Sequence, residues 1–77
     1  MQPYRDTSSQ SGVTAYEDGP GYLKVRFRSG DVYLYDRRHP GPARLARMKA
    51  LAASGRGLAT YIAQEVGDDY AEKIDAG

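Results

Sequence analysis

The stretch that most constrains this chain is residues 22–36, YLKVRFRSGDVYLYD, in which apolar and polar positions alternate on either side of a Ser-Gly pair. A period of two sends successive side chains to opposite faces of a strand, so the stretch is expected to form a β-hairpin. Leu23, Val25 and Phe27 interleave with Lys24, Arg26 and Arg28, and the return segment reads Asp31-Val32-Tyr33-Leu34-Tyr35. What the hairpin presents depends on its turn. A two-residue turn at Ser29-Gly30, with Gly30 supplying the positive φ, pairs Phe27 with Val32, Val25 with Leu34, Arg26 with Tyr33 and Lys24 with Tyr35. One face is then core, and the other carries Lys24, Arg26, Arg28, Asp31, Tyr33 and Tyr35. A three-residue loop with a glycine bulge shifts the pairing by one and sets Tyr33 and Tyr35 beside Leu23 and Val25. The first register keeps the apolar residues together, as burial favours, and is the expectation carried forward.

The flanking segments suggest how that hairpin is covered. Residues 1–11 are polar, with no periodicity, and read as a flexible leader. Residues 12–17, GVTAYE, read as a first strand with Val13 and Ala15 on one side and Thr14 and Tyr16 on the other, and Glu17-Asp18-Gly19-Pro20-Gly21 as a turn. Short connections predict an antiparallel meander of three strands. Pro42 suits the first turn of a helix and Gly55 its left-handed stop, with Leu45, Met48, Leu51 and Ala52 on one stripe between them. A second short helix is expected from about Leu58 to Val66, closed by Gly67, and residues 68–77 as a short helical turn or frayed acidic tail. The expected fold class is α+β, a three-stranded antiparallel β-meander followed by two short helices packed on one face. Its expected core is Leu23, Val25, Phe27, Val32, Leu34, Leu45, Met48, Leu51, Leu58 and Ile62, and replacing Phe27 with Ala should cost about 3 to 5 kcal/mol.

Seventy-seven residues suffice for one small domain with little stability to spare. There is no cysteine, so neither a disulfide framework nor a thiolate metal site is available, which suits a reducing, cytoplasmic setting. No run approaches the roughly 20 apolar residues of a membrane span. The net charge is +1, but its distribution is uneven. Between Lys24 and Arg56 stand nine basic and two acidic residues, a balance of +7, against two basic and eight acidic elsewhere, a balance of −6. Such asymmetry implies either an anionic partner for the middle or neutralisation by the flanks.

The order of Leu23-x-Val25-x-Phe27-x-Ser29-Gly30, Val32-Tyr33-x-Tyr35, a proline opening a helix, then Gly55-Arg56-x-Leu58 and Ile62 resembles the KTSC domain family, named for the C-terminus of some bacterial lysyl-tRNA synthetases and including stand-alone bacterial copies. The resemblance covers roughly residues 11–63, within an expected single domain at 12–67. The chain departs from that pattern in a Tyr35 to Pro40 segment one residue longer, in Leu58 where an aromatic is usual, and in Ala59 where Asn is usual. The resemblance implies a fold more than a role, since the family's function is not established and RNA binding has been suggested from the synthetase association.

The chemistry-bearing residues point to binding rather than catalysis. His39 is the only histidine and has no nucleophile in sequence reach, and Asp68, Asp69 and Glu72 lack the spacing of a metal loop. Gly19-Pro20-Gly21 and Gly55-Arg56-Gly57 are punctuation, not phosphate loops. No enzyme activity, metal or cofactor is expected. Two readings remain open: a protein-interaction or assembly module, slightly favoured, and single-stranded RNA binding through a face of cations and tyrosines. The candidate nucleic-acid-binding residues are Lys24, Arg26, Arg28, Tyr33, Tyr35, Arg37, Arg38, Arg44 and Arg47. The interaction reading draws on opposite charges pairing between subunits, giving a weak homo-oligomer, and on the first or third strand as an edge open to strand addition.

Overall fold

The computed structural model describes residues 1–5 and 12–74, and these form one antiparallel sheet with helices on one of its faces. The strands are β1 (Gln2–Pro3), β2 (Val13–Gly19), β3 (Tyr22–Phe27), β4 (Val32–Asp36) and β5 (Glu72–Ile74), in spatial order β1-β2-β3-β4-β5. Helix α1 (Pro42–Ser54) and the short helix α2 (Leu58–Tyr61), which continues into a π-helical turn (Ile62–Val66), lie between β4 and β5 in the chain. The class is therefore α+β with five strands. The three expected strands form the centre, and two short ones are added at the edges. Gln2–Pro3, expected in the leader, pairs with Tyr16 and Ala15, and Tyr4 next to it is buried, its amide donating to the Thr14 carbonyl at 2.9 Å. Residues 6–11 of that leader and 75–77 of the tail lie outside the described residues. The acidic tail contributes β5 where a helical turn was expected.

The β3–β4 turn decides the hairpin. The Gly30 amide donates to Phe27 O at 2.9 Å and the Phe27 amide to Asp31 O at 2.8 Å, with Gly30 at φ 95°. This is a three-residue loop with the glycine bulge, and it sets the register as Leu23 with Tyr35, Val25 with Tyr33, Lys24 with Leu34 and Arg26 with Val32. The two-residue register expected from keeping the apolar residues together is not adopted. The tyrosines share a face with Leu23 and Val25, while Val32 and Leu34 share one with Arg26 and Lys24. Burial still wins, because a tyrosine buries more apolar area than the leucine it displaces. A bulge between Val13 and Ala15 does the same to β2: Val13 pairs with Phe27 and Tyr16 with Val25, so Tyr16, not Ala15, joins Val13 on the inner side.

The core lies between that inner face and the helices. Tyr4, Val13, Leu23, Val25 and Tyr35 from the sheet meet Leu45, Met48 and Ala52 from α1 and Leu58, Ile62 and Val66 from the second helical segment. Phe27 and Leu51, expected in the core, are half-buried against it. Leu34 is half-buried on the opposite face, and Val32 is buried there, opposite Ile74 of β5 and outside the main cluster.

Local chemistry explains the helix placement. Pro42 starts α1, and Gly55 ends it at φ 77°, its amide donating to Leu51 O at 3.0 Å and Ala52 O at 3.2 Å. A side chain at Gly55 would also collide with Arg5, whose Cβ would lie 2.4 Å away. Lys49 reaches from α1 to the β2–β3 turn, 2.6 Å from the Gly19 carbonyl and 2.9 Å from Asp18 Oδ1. After β4, Asp36 Oδ1 accepts the His39 and Arg38 amides at 2.9 Å each, contacts that hold its carboxyl below the usual range. No described helix is long and apolar enough to cross a membrane.

Candidate functional site

The register distributes the nine candidate residues over separate surfaces. Lys24 and Arg26 project from the open face of the sheet, where Lys24 lies 3.6 Å from Glu17 and 5.8 Å from the Tyr22 ring centroid. On the same face the Tyr22 hydroxyl donates to Glu17 at 2.9 Å, which with Lys24 lowers the Glu17 pKa. Arg28 is in the β3–β4 turn, and Arg37 and Arg38 are exposed in the turn after β4. Arg44 and Arg47 lie on the exposed side of α1. The sheet and the helix therefore separate them from Lys24 and Arg26. Tyr33 and Tyr35 turn inward. The expected face interleaving cations with tyrosines is not formed, because the glycine bulge puts the two residue types on opposite sides.

The uneven charge finds a use within the chain. The Lys24–Glu17 and Lys49–Asp18 ion pairs, and the 2.7 Å contact of His39 Nδ1 with Asp69 Oδ1, join the basic middle to an acidic flank, while Lys73 of the flank pairs with Asp31 of the middle. Neutralisation by the flanks, one of the two expected readings, operates in part inside one molecule. Arg37, Arg38, Arg44 and Arg47 have no side-chain partner among the described residues. The strands expected as open edges, now β2 and β4, are interior, and the true edges are two and three residues long, a length that discourages strand addition.

The inward tyrosines build a site of another kind. Between the β3–β4 hairpin and the end of the π-helical turn lies a cleft of about 370 Å³ lined by Phe27, Tyr33, Tyr35, Ile62, Asp68 and Tyr70, among others. The Phe27 and Tyr33 rings meet edge to face, centroids 5.3 Å apart at 78°, and Tyr33 and Tyr70 lie 4.7 Å apart at 58°. The rings form a corner, so faces and edges both front the cleft. Tyr35 lines it as well, and is only 1% exposed. Its hydroxyl has no hydrogen-bond partner among the described residues. Yet no fully enclosed polar side-chain atom is left without a partner there, so the Tyr35 oxygen opens onto the cleft. Burial, followed by the neighbouring Tyr33, Tyr70 and Asp68, pushes its pKa well above the ordinary tyrosine value, and the phenol is neutral at physiological pH.

Tyr70 and Asp68 enter this site without having been singled out for it, and Phe27 enters it as a wall. The residues themselves carried one signal. The tyrosines at 33 and 35 have the spacing of one strand face, and the glycine at 30 permits the bulge that turns that face inward. No protein-family model, curated protein or solved structure matches this chain.

Proposed function

We propose that this chain is a small, non-enzymatic, cytoplasmic interaction module that binds a protein partner through the aromatic cleft, accepting one side chain of that partner. The observation that carries this reading is the Tyr35 hydroxyl: it belongs to a residue only 1% exposed, has no hydrogen-bond partner among the described residues, and sits at an opening lined by four other aromatic or acidic side chains. A buried polar group left unpaired costs free energy, and one facing a concave aromatic pocket is positioned to be paired by a ligand. The side chains around it are aromatic rings, Ile62, the Ser29 hydroxyl and the Asp68 carboxylate, a set suited to holding a group. The KTSC-like order of residues bears on the fold of a small domain and not on its role.

A protein partner is favoured over nucleic acid by where the charges stand. Asp68 lines the cleft and Asp69 follows it, whereas Arg44 and Arg47 lie on the exposed side of α1. A base stacked on Tyr33 would bring its phosphates toward carboxylates, the reverse of the cationic track that single-strand binders use. Amide chemical shifts separate the readings. Short peptides of mixed composition should shift Ser29, Tyr33, Gly67 and Tyr70. Single-stranded RNA that shifts Arg37, Arg38, Arg44 and Arg47, with affinity falling steeply in salt, would transfer the function to RNA. No shift at the cleft with any peptide would defeat the proposal.

A further inference from the structure

Resting on that reading of the cleft, we infer that the side chain it takes up is cationic and planar, the guanidinium of an arginine in the partner protein. Three features of the cleft point the same way. The first is the corner formed by Phe27, Tyr33 and Tyr70, with centroid separations of 5.3 and 4.7 Å. Aromatic faces carry negative quadrupole charge, and a guanidinium both stacks on them and is attracted by them. A cation already uses one of these rings: Lys73 Nζ lies 5.9 Å from the Tyr33 centroid. Lys73 is also 3.8 Å from Asp31, so its charge is balanced at the rim and Asp68 is without an ion-pair partner among the described residues.

The second feature is Asp68 itself, a cleft carboxylate with no cationic partner among the described residues. The third is Tyr35. Its raised pKa keeps the phenol neutral, with lone pairs free to accept a hydrogen bond. A guanidinium offers five N–H donors in one plane, enough to meet a carboxylate and a phenol at once while its face lies on a ring. A neutral aromatic or aliphatic group would satisfy the rings and leave Asp68 and Tyr35 unpaired. An acidic group would meet Asp68 as a like charge.

The test uses amide and aromatic-ring NMR of the full chain with three probes: the capped tripeptide Gly-Arg-Gly, the same peptide with citrulline in place of arginine, and agmatine. Citrulline keeps the shape and several donors of arginine and lacks its charge. The arginine peptide should bind saturably with shifts confined to the cleft, about tenfold tighter than the citrulline peptide. Asp68→Asn should weaken the arginine peptide and leave the citrulline peptide nearly unchanged, Tyr35→Phe should weaken both, and both variants should retain the wild-type amide spectrum away from the cleft. Equal binding of the two peptides overturns the cationic assignment while leaving the cleft as a binding site. Binding of agmatine without binding of the arginine peptide overturns the protein source in favour of a free guanidine compound. If none of the three probes shifts the cleft, N-acetyltyrosinamide as a neutral aromatic probe separates the remaining cases. Its binding alone defeats only the guanidinium assignment, and its silence defeats the cleft reading with it.

Discussion

Tyr4 and Tyr35 are buried to the same degree, 1% exposed each, and both lie on the inner side of the sheet beside a surface cleft, yet their hydroxyls are treated differently. Tyr4 Oη accepts the amide of Leu58, 3.1 Å away, one of the amides at the start of α2 that the helix cannot pair internally. Its ring meets Tyr16 edge to face with centroids 6.5 Å apart, and that hydroxyl in turn reaches Gln2 at 3.3 Å. Both tyrosine hydroxyls at that end help hold β1 and Tyr4 to the rest of the domain. At the other end the Tyr35 hydroxyl has no hydrogen-bond partner among the described residues. The contrast teaches that equal burial does not mean equal structural roles; the fate of the hydroxyl separates the two tyrosines.

The largest expected effect tests whether the two ends differ in structural weight. Met48 is fully buried between α1 and the sheet, and Met48→Ala should destabilise by about 2 to 5 kcal/mol. Phe27 is only half-buried at the cleft, so Phe27→Ala should cost about half of the 3 to 5 kcal/mol of an enclosed phenylalanine. Denaturant titration of both variants checks the ranking, and an equal loss would show that the cleft wall is as much a part of the core as α1. The sharpest comparison is between the hydroxyls. Tyr4→Phe strands the Leu58 amide and should cost about 1 to 3 kcal/mol, whereas Tyr35→Phe should change stability by about 0.5 kcal/mol or less. A large loss on Tyr35→Phe would assign that hydroxyl a structural partner and remove the basis of the site.

Alkaline titration gives the smallest and most specific effect. Because the Tyr35 pKa is raised in the folded state, the unfolded chain releases that proton first, and the native state binds more protons between the two values. The stabilisation is complete below the ordinary tyrosine pKa of about 10 and is lost as pH rises above it. Thermal melts of Tyr35→Phe should therefore fall less steeply with pH in that range than those of the unaltered chain. Half-buried Tyr22, raised chiefly by its hydrogen bond to Glu17, accounts for part of the slope that remains. Identical slopes would show that the Tyr35 phenol does not feel its surroundings.

Much of the fold was legible because it rests on local chemistry. Alternation from Leu23 to Phe27 marks β3, Pro42 and Gly55 bracket α1, and the spacing of Leu58, Ile62 and Val66 marks the second helical segment. These are properties of a few neighbouring residues and need no partner to be recognised. What was misread depended on partners. Gln2–Pro3 and Glu72–Ile74 are too short and too polar to declare themselves as strands, and are ordered by the ladders they join on β2 and β4. Lys24, Arg26, Arg28, Tyr33 and Tyr35 were read as one hairpin face, and that reading turned on a single residue of loop length.

The amino-acid sequence by itself determined that residues 22–36 would form a two-faced hairpin followed by a helix with an apolar stripe, because period and turn chemistry are local. Only the tertiary structure decided which face held the tyrosines. Both loop lengths suit Ser29-Gly30 locally, and the choice follows from which register lets Tyr35 fill the space beneath the helices, a long-range packing energy that no short window of sequence contains.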